Sequence, residues 1–251
     1  MGTQTTPYVR RRLAILSLSK LQYGQERLPD GLNSLSARLL SLFELLFRRY
    51  GPQHWWPGDS PFEVIVGAIL TQSASWGNVE KAVNSLKHAG ALSPASLRDL
   101  PLTELAQLIY PSGYYNAKAL KLKAFAEHLG EEYGDSLDSL FSLEIPDLRE
   151  ELLGIHGIGP ETADSIILYA AYKPVFVIDA YTRRVISRLG LAPLRDTYDS
   201  YQALFMEHLP PDSALFNEYH ALFVRHGKDT CRKRPDCAAC CLRDHCANPQ
   251  D

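Results

Sequence analysis

No run of about 18 consecutive apolar residues occurs in this sequence, the length a membrane-spanning helix requires, so a transmembrane segment and a membrane partner are excluded. Positive charge is not in surplus either. A formal net charge of −3 excludes a protein that coats nucleic acid through bulk charge and leaves any such contact to a local surface. There is no cysteine before residue 231, so no disulfide framework spans the chain. All five cysteines fall between 231 and 246, a clustering that fits a metal-binding site in a reducing cytoplasm. No stretch alternates apolar and polar residues at strand period, and there are no internal repeats or low-complexity tracts, which together predict an all-α fold.

Residues 1–30 mix Thr, Gln, Arg and Ser with little periodicity and are expected to form a mobile N-terminal arm. Arg10-Arg11-Arg12 precedes an apolar run too short for a signal peptide, and Lys20 interrupts it; Met1-Gly2 with Thr6 meets only the loose pattern for myristoylation. Beyond the arm, 45% hydrophobic residues in 251 suffice for one large domain or two packed ones. Helical spacing of Leu35, Leu39, Leu42, Phe43 and Leu46 predicts a helix over 34–50 that ends at Gly51-Pro52. Pro61–Thr71 is almost continuously apolar and predicts a helix buried on most sides. Further helices are expected from Trp76, at 94–100, 101–109, 116–133, 146–153, 160–172, 179–189, 197–208 and 213–227.

The chemistry-bearing stretch is 151–189. In Gly157-Ile158-Gly159 the glycines are free to take positive φ and let backbone approach a ligand, with Ile158 anchoring the turn. Pro160 then opens a helix whose unpaired N–H groups and positive dipole end suit a phosphate. The same turn also serves as an ordinary helix–helix connection. Asp179 has the two readings of helix N-cap and catalytic carboxylate, which are compatible. Trp55 and Trp56 are either core plugs or walls of a pocket. Lys118, Lys121 and Lys123 form a solvated helix face or a phosphate-facing one. Cys231, Cys237, Cys240 and Cys246 make C-x5-C-x2-C-x5-C, able to hold Zn²⁺ or a cubane iron–sulfur cluster, with Cys241 beside the third position.

LLGIHGIGPETADSIILYA followed by VFVIDAYTRRVISRLG resembles the helix-hairpin-helix and Gly-Pro/Asp signature of the endonuclease III superfamily of DNA glycosylases. The likeness continues in PFEVIVGAILTQSASWGNVEKA and GYYNAKALKLKAF and spans roughly residues 34–246. It implies two helical domains flanking a cleft, one of residues 31–60 with 174–251 carrying a cluster loop, the other a six-helix domain of residues 61–173 with the hairpin. It implies base excision: a damaged base is flipped from double-stranded DNA and its N-glycosidic bond hydrolysed with Asp179 stabilising the sugar's positive charge. Gly157, Ile158 and Gly159 would meet DNA, with Lys118, Arg232, Lys233 and Arg234 at phosphates and Gln72 filling the gap in the duplex.

Bifunctional members place a lysine two residues after the last hairpin glycine, where this chain has Glu161. A carboxylate forms no imine, so a monofunctional, water-dependent enzyme with weak or no lyase activity is expected. The resemblance shifts the cysteine motif from zinc to a C-terminal [4Fe-4S] cluster, although the first gap is one residue shorter than the commonest family pattern. Trp55, Trp56 and Trp76 resemble the aromatic pocket of helical 3-methyladenine DNA glycosylases, favouring alkylated purines, while the chain otherwise resembles endonuclease III, which acts on oxidised pyrimidines. A non-catalytic lesion- or structure-binding protein of the same fold is the alternative. The expected protein is a cytoplasmic, DNA-associated monomer.

Overall fold

The computed structural model describes residues 35–249, so the expected N-terminal arm lies outside the described residues. The described residues are helical, with no strand among them. The twelve α-helices among the described residues are α1 Leu35–Tyr50, α2 Pro61–Leu70, α3 Trp76–His88, α4 Pro94–Asp99, α5 Leu102–Leu108, α6 Tyr115–Tyr133, α7 Leu137–Phe141, α8 Ile145–Gly154, α9 Pro160–Ser165, α10 Ala180–Arg188, α11 Tyr198–Met206 and α12 Ser213–Asp229. No helix among them is long and apolar enough to cross a membrane.

Polar side chains start these helices where the sequence places them. Ser60, Ser93, Ser136, Asp179, Thr197 and Asp212 each accept a backbone N–H of the following first turn. Pro61 and Pro94 follow two of these caps, at positions where a missing N–H costs nothing. The segment predicted over 160–172 continues past Ser165 as a π-helical turn, Ile166–Ala170, whose five residues are all buried.

The described chain divides into two compact units. One joins the described residues through Trp55 to those from Ile178 onward; the other is Trp56–Val177. In the first, α12 packs on both α1 and α10. In the second, α2 is the axis: all of its residues but Pro61 are buried, and α3, α6, α9 and the π turn pack around it. This unit holds eight α-helices rather than the six expected. The one helix of this unit without a sequence signal, α7, has five residues, too few to show a hydrophobic period.

Lys118 requires a correction. It is only 2% exposed on the inner face of α6, and its Nζ donates to Leu70 O at 2.9 Å and Ser112 O at 2.6 Å. Burial pushes its pKa down to about 8, with the nearby Lys121 charge adding to the effect. The ammonium group satisfies a carbonyl at the C-terminal end of α2, so it is a structural cap rather than a phosphate contact.

Candidate functional site

The hairpin is built within the Trp56–Val177 unit. Ile155 and Ile158 are each 5% exposed and pin the turn between α8 and α9 to the core. Of the two glycines expected at positive φ only Gly157 takes it, at +83°, whereas Gly159 is extended at −95° and caps α9. Gly157 is also required by space. A Cβ there would lie 2.3 Å from Cγ of Lys121, whose stem crosses the turn. Beneath the hairpin, Arg149 of α8 and the fully buried Asp164 of α9 pair through Nε and Oδ1 at 2.8 Å and Nη2 and Oδ2 at 3.3 Å. That bidentate pair fixes the two helices against each other.

Gln72 belongs to the same assembly. Its Nε2 donates to Gly157 O at 3.1 Å and to Thr162 Oγ1 at 2.9 Å, while its Oε1 accepts from the Lys121 amine. The side chain expected to fill a gap in the duplex here bridges the hairpin turn and α9. Glu161 is exposed in the first turn of α9. An acid suits that end of the helix dipole.

Asp179 lies in the other unit, delivered by the buried apolar run Val175–Ile178. Its Oδ1 accepts the Thr182 N–H at 2.7 Å and caps α10, as the sequence predicts. Its Oδ2 is turned to His220 Nε2 of α12, 3.9 Å away. Burial pushes the pKa of His220 down and the Asp179 charge opposes this. Two residues earlier, Glu218 is fully buried: Oε1 accepts the Gln53 N–H at 2.7 Å and Oε2 has no hydrogen-bond partner.

Burial pushes the Glu218 pKa up from 4.5 to about 7. Between those values the folded chain keeps a proton that the unfolded chain has lost, so stability falls as pH rises through the window. Glu218→Gln should therefore gain on the wild type between about pH 5 and about pH 8, by about 3 kcal/mol, as read from urea unfolding at each pH.

The helix that starts at Asp179 also carries the cysteine loop. From its last two turns Arg184 donates to Gly227 O and Cys231 O, both at 2.8 Å. Arg188 donates to Cys231 Sγ at 3.2 Å and to Arg232 O at 2.7 Å. Cys231, Cys237, Cys240 and Cys246 line one cavity and Cys241 does not. Among the described residues no group of three or more His, Cys, Asp or Glu donors is spaced to hold a metal ion, so the four thiols share the cavity without converging. Cys240 Sγ faces His226 Nε2 at 3.7 Å, and the other ring nitrogen of His226 meets Tyr50 Oη at 2.9 Å. Burial pushes the His226 pKa down to about 4 and the Cys240 thiol up to about 11. Arg232, Lys233 and Arg234 are exposed.

The family model for HhH-GPD superfamily base excision DNA repair proteins matches residues 66–211, from within α2 through the hairpin and Asp179. The chain belongs to the HhH-GPD superfamily. It is 42% identical over 209 residues to a predicted DNA repair glycosylase of Methanocaldococcus jannaschii, covering 83% of this chain and 95% of that one. It is 30% identical over 187 residues to endonuclease III of Thermotoga maritima, covering 74% and 82%. Among solved structures it is similar to H. pylori 3-methyladenine DNA glycosylase bound to 1,N6-ethenoadenine, with a TM-score of 0.68, 27% identity, and 78% and 97% of the two chains covered. A non-covalent endonuclease III–DNA complex shares the fold at a TM-score of 0.73 and 23% identity, over 85% and 96%.

In this HhH-GPD chain the three tryptophans differ in their surroundings. Trp56 is 9% exposed, its ring centroid 5.3 Å from both Trp76 and Tyr169. It lies across α2 at Gly67, where a Cβ would come 3.0 Å from the indole Nε1. Trp56 is therefore packed as a core plug, Trp76 is half-buried beside it, and Trp55 falls in the other unit. The exposed aromatics of the HhH-GPD domain are Tyr110 and Tyr114, at 63% and 76%, in the loop that enters α6. Tyr114 has φ +48°, a left-handed conformation that costs a bulky residue energy. Only the Gly-Tyr-Tyr sequence marks that loop, and nothing in it signals which ring is exposed.

Proposed function

We propose that this HhH-GPD protein is a monofunctional DNA glycosylase that hydrolyses the N-glycosidic bond of a damaged base in double-stranded DNA. The observation that carries this reading is the Asp179 carboxylate, with one oxygen spent on the α10 cap and the other turned to His220. Bond cleavage develops positive charge on the sugar; a fixed carboxylate stabilises that charge and takes a proton from the attacking water. Glu161 supplies the rest of the assignment. Where lyase-active members carry lysine, this chain has a carboxylate, which cannot form a Schiff base with the sugar. On DNA, backbone at Gly157–Gly159 would meet phosphate, the exposed Arg232, Lys233 and Arg234 would add charge, and the Tyr110 and Tyr114 rings offer faces for base stacking. Alkylated purine is the substrate class we favour, on the likeness to the 3-methyladenine glycosylase, with oxidised pyrimidine second.

The cysteine loop fits a [4Fe-4S] cluster by its donor set: four thiols line one cavity, the fifth is outside it, and Arg188 donates to one of the sulfurs. Cys231, Cys237, Cys240 and Cys246 would hold the cluster, which would cross-link the loop and contribute folding energy.

The test is base release from duplex DNA pretreated with dimethyl sulfate and from a duplex containing thymine glycol. Free base should appear while the strand stays intact until alkali is added, and borohydride should trap no protein–DNA adduct. An adduct, or strand cleavage at neutral pH, overturns the monofunctional assignment. No base release from either probe overturns the glycosylase reading.

A further inference from the structure

One buried histidine that no motif announces reaches the cysteine loop at two points. His226, in the last turn of α12, is 1% exposed. Its backbone carbonyl accepts the Cys231 N–H at 2.8 Å, and its ring Nε2 faces Cys240 Sγ at 3.7 Å, within hydrogen-bond range for sulfur. It thus touches the first and the third of the four cysteines that line the cavity. The other ring nitrogen, Nδ1, lies 2.9 Å from Oη of Tyr50, the last residue of α1, and that hydroxyl lies 2.9 Å from Thr230 Oγ1. Thr230, Tyr50, His226 and Cys240 all belong to one unit.

These contacts form a chain from Thr230 through Tyr50 and His226 to Cys240, and its direction is set by the protons at its ends. Each hydroxyl has one proton to donate, and a neutral imidazole has one N–H and one lone pair. With Cys240 as a thiol, S–H can donate to Nε2, which leaves Nδ1–H to donate to Tyr50 and Tyr50 to donate to Thr230. A cluster ligand is a thiolate and has no proton to give. The ring proton then belongs on Nε2, Tyr50 donates to Nδ1, and Thr230 donates to Tyr50. In that direction every member is satisfied, and the chain ends as an N–H aimed at sulfur.

We propose that His226, held in its Nε2–H tautomer by Tyr50 and Thr230, donates a hydrogen bond to the Cys240 thiolate and so sets the reduction potential of the iron–sulfur cluster. This rests on the [4Fe-4S] reading of the cysteine loop. A donor to a ligand sulfur draws off part of its negative charge, which stabilises the more negative, reduced state over the oxidised one. The potential is therefore higher than it would be without the donor. His226 is a positioning residue that acts through its ligand partner. Because Tyr50 closes α1, the same chain ties that helix to the cysteine loop.

The experiment is a redox titration of the full-length holoprotein followed by its visible absorption, with iron content and thermal midpoint measured alongside. His226→Phe, which keeps an aromatic ring but no N–H, should shift the one-electron equilibrium toward the oxidised cluster about tenfold, a fall of about 59 mV. His226→Gln, which offers both an N–H donor to sulfur and an oxygen to accept from Tyr50, should stay within about twofold of wild type. Tyr50→Phe leaves the ring in place but releases its tautomer, and should shift the equilibrium by about fourfold in the same direction. Where His226→Phe retains no iron, the Tyr50→Phe shift decides. Either Phe variant keeping its equilibrium within about twofold of wild type overturns the proposal alone, as does a fall in His226→Phe that Gln does not recover. A wild type without iron and sulfide removes the cluster reading, and this proposal with it.

Discussion

Asp179→Asn is expected to slow base release at least about 10³-fold while leaving the fold and duplex binding intact. Separating the two follows from the geometry. Asn caps a helix about as well as Asp, and its side-chain oxygen can still accept the Thr182 N–H now held at 2.7 Å. The thermal midpoint should therefore stay within about 2 °C of wild type. What the amide lacks is the negative charge that stabilises the developing sugar cation and the basicity that removes a proton from water. Asp179→Ala is the contrast, since it also loses the cap and should cost about 1 kcal/mol of stability. Single-turnover base release from dimethyl sulfate-treated duplex reads the first effect, and fluorescence anisotropy with the same duplex shows that binding survives. Release within tenfold of wild type would remove Asp179 from the chemistry.

What the sequence reveals and what it conceals differ by the range of the interaction. Asp179 announces its helix because a cap acts over three residues, and its oxygen bonds the Thr182 N–H group as predicted; the Ser60 oxygen, before Pro61, bonds the Glu63 N–H in the same way. The apolar run of α2 announces its own burial. Lys118 could not announce its place. Its amine serves Leu70 O, 48 positions away in sequence, and the lysines around it give the segment a solvated look. Gln72 was legible as a polar residue at a helix end, but its partner, the carbonyl of Gly157, lies 85 positions on. In the hairpin, Gly157 and Gly159 read alike, and only the crossing of the Lys121 stem shows which one must lack a Cβ. His220 and Glu218 sit in a helix whose apolar period is unremarkable, and both gain their interest from partners in other elements.

Cys240 and Cys241 are adjacent in sequence and should behave oppositely. Cys240→Ala should abolish iron and acid-labile sulfide, together with their visible charge-transfer absorption, whereas Cys241→Ala should retain both near wild-type levels. The assignment rests on where the thiols lie. Cys240 shares its cavity with Cys231, Cys237 and Cys246, its Sγ facing His226 Nε2 at 3.7 Å and accepting the Leu242 N–H at 3.4 Å. Cys241 does not line that cavity; burial pushes its thiol up while the Arg49 guanidinium of α1 draws it partly down. A thiol buried without a cation resists ionisation, which is why Cys240 stands at about 11, and bound iron would reverse that by stabilising the thiolate. Losing one of four ligands should also loosen the loop that Arg184 and Arg188 hold by its carbonyls, so Cys240→Ala should become protease-sensitive between Cys231 and Cys246. A colourless wild type with one bound zinc would leave the cavity assignment standing and replace the cluster. Loss of the metal centre in Cys241→Ala with its retention in Cys240→Ala would overturn the assignment itself.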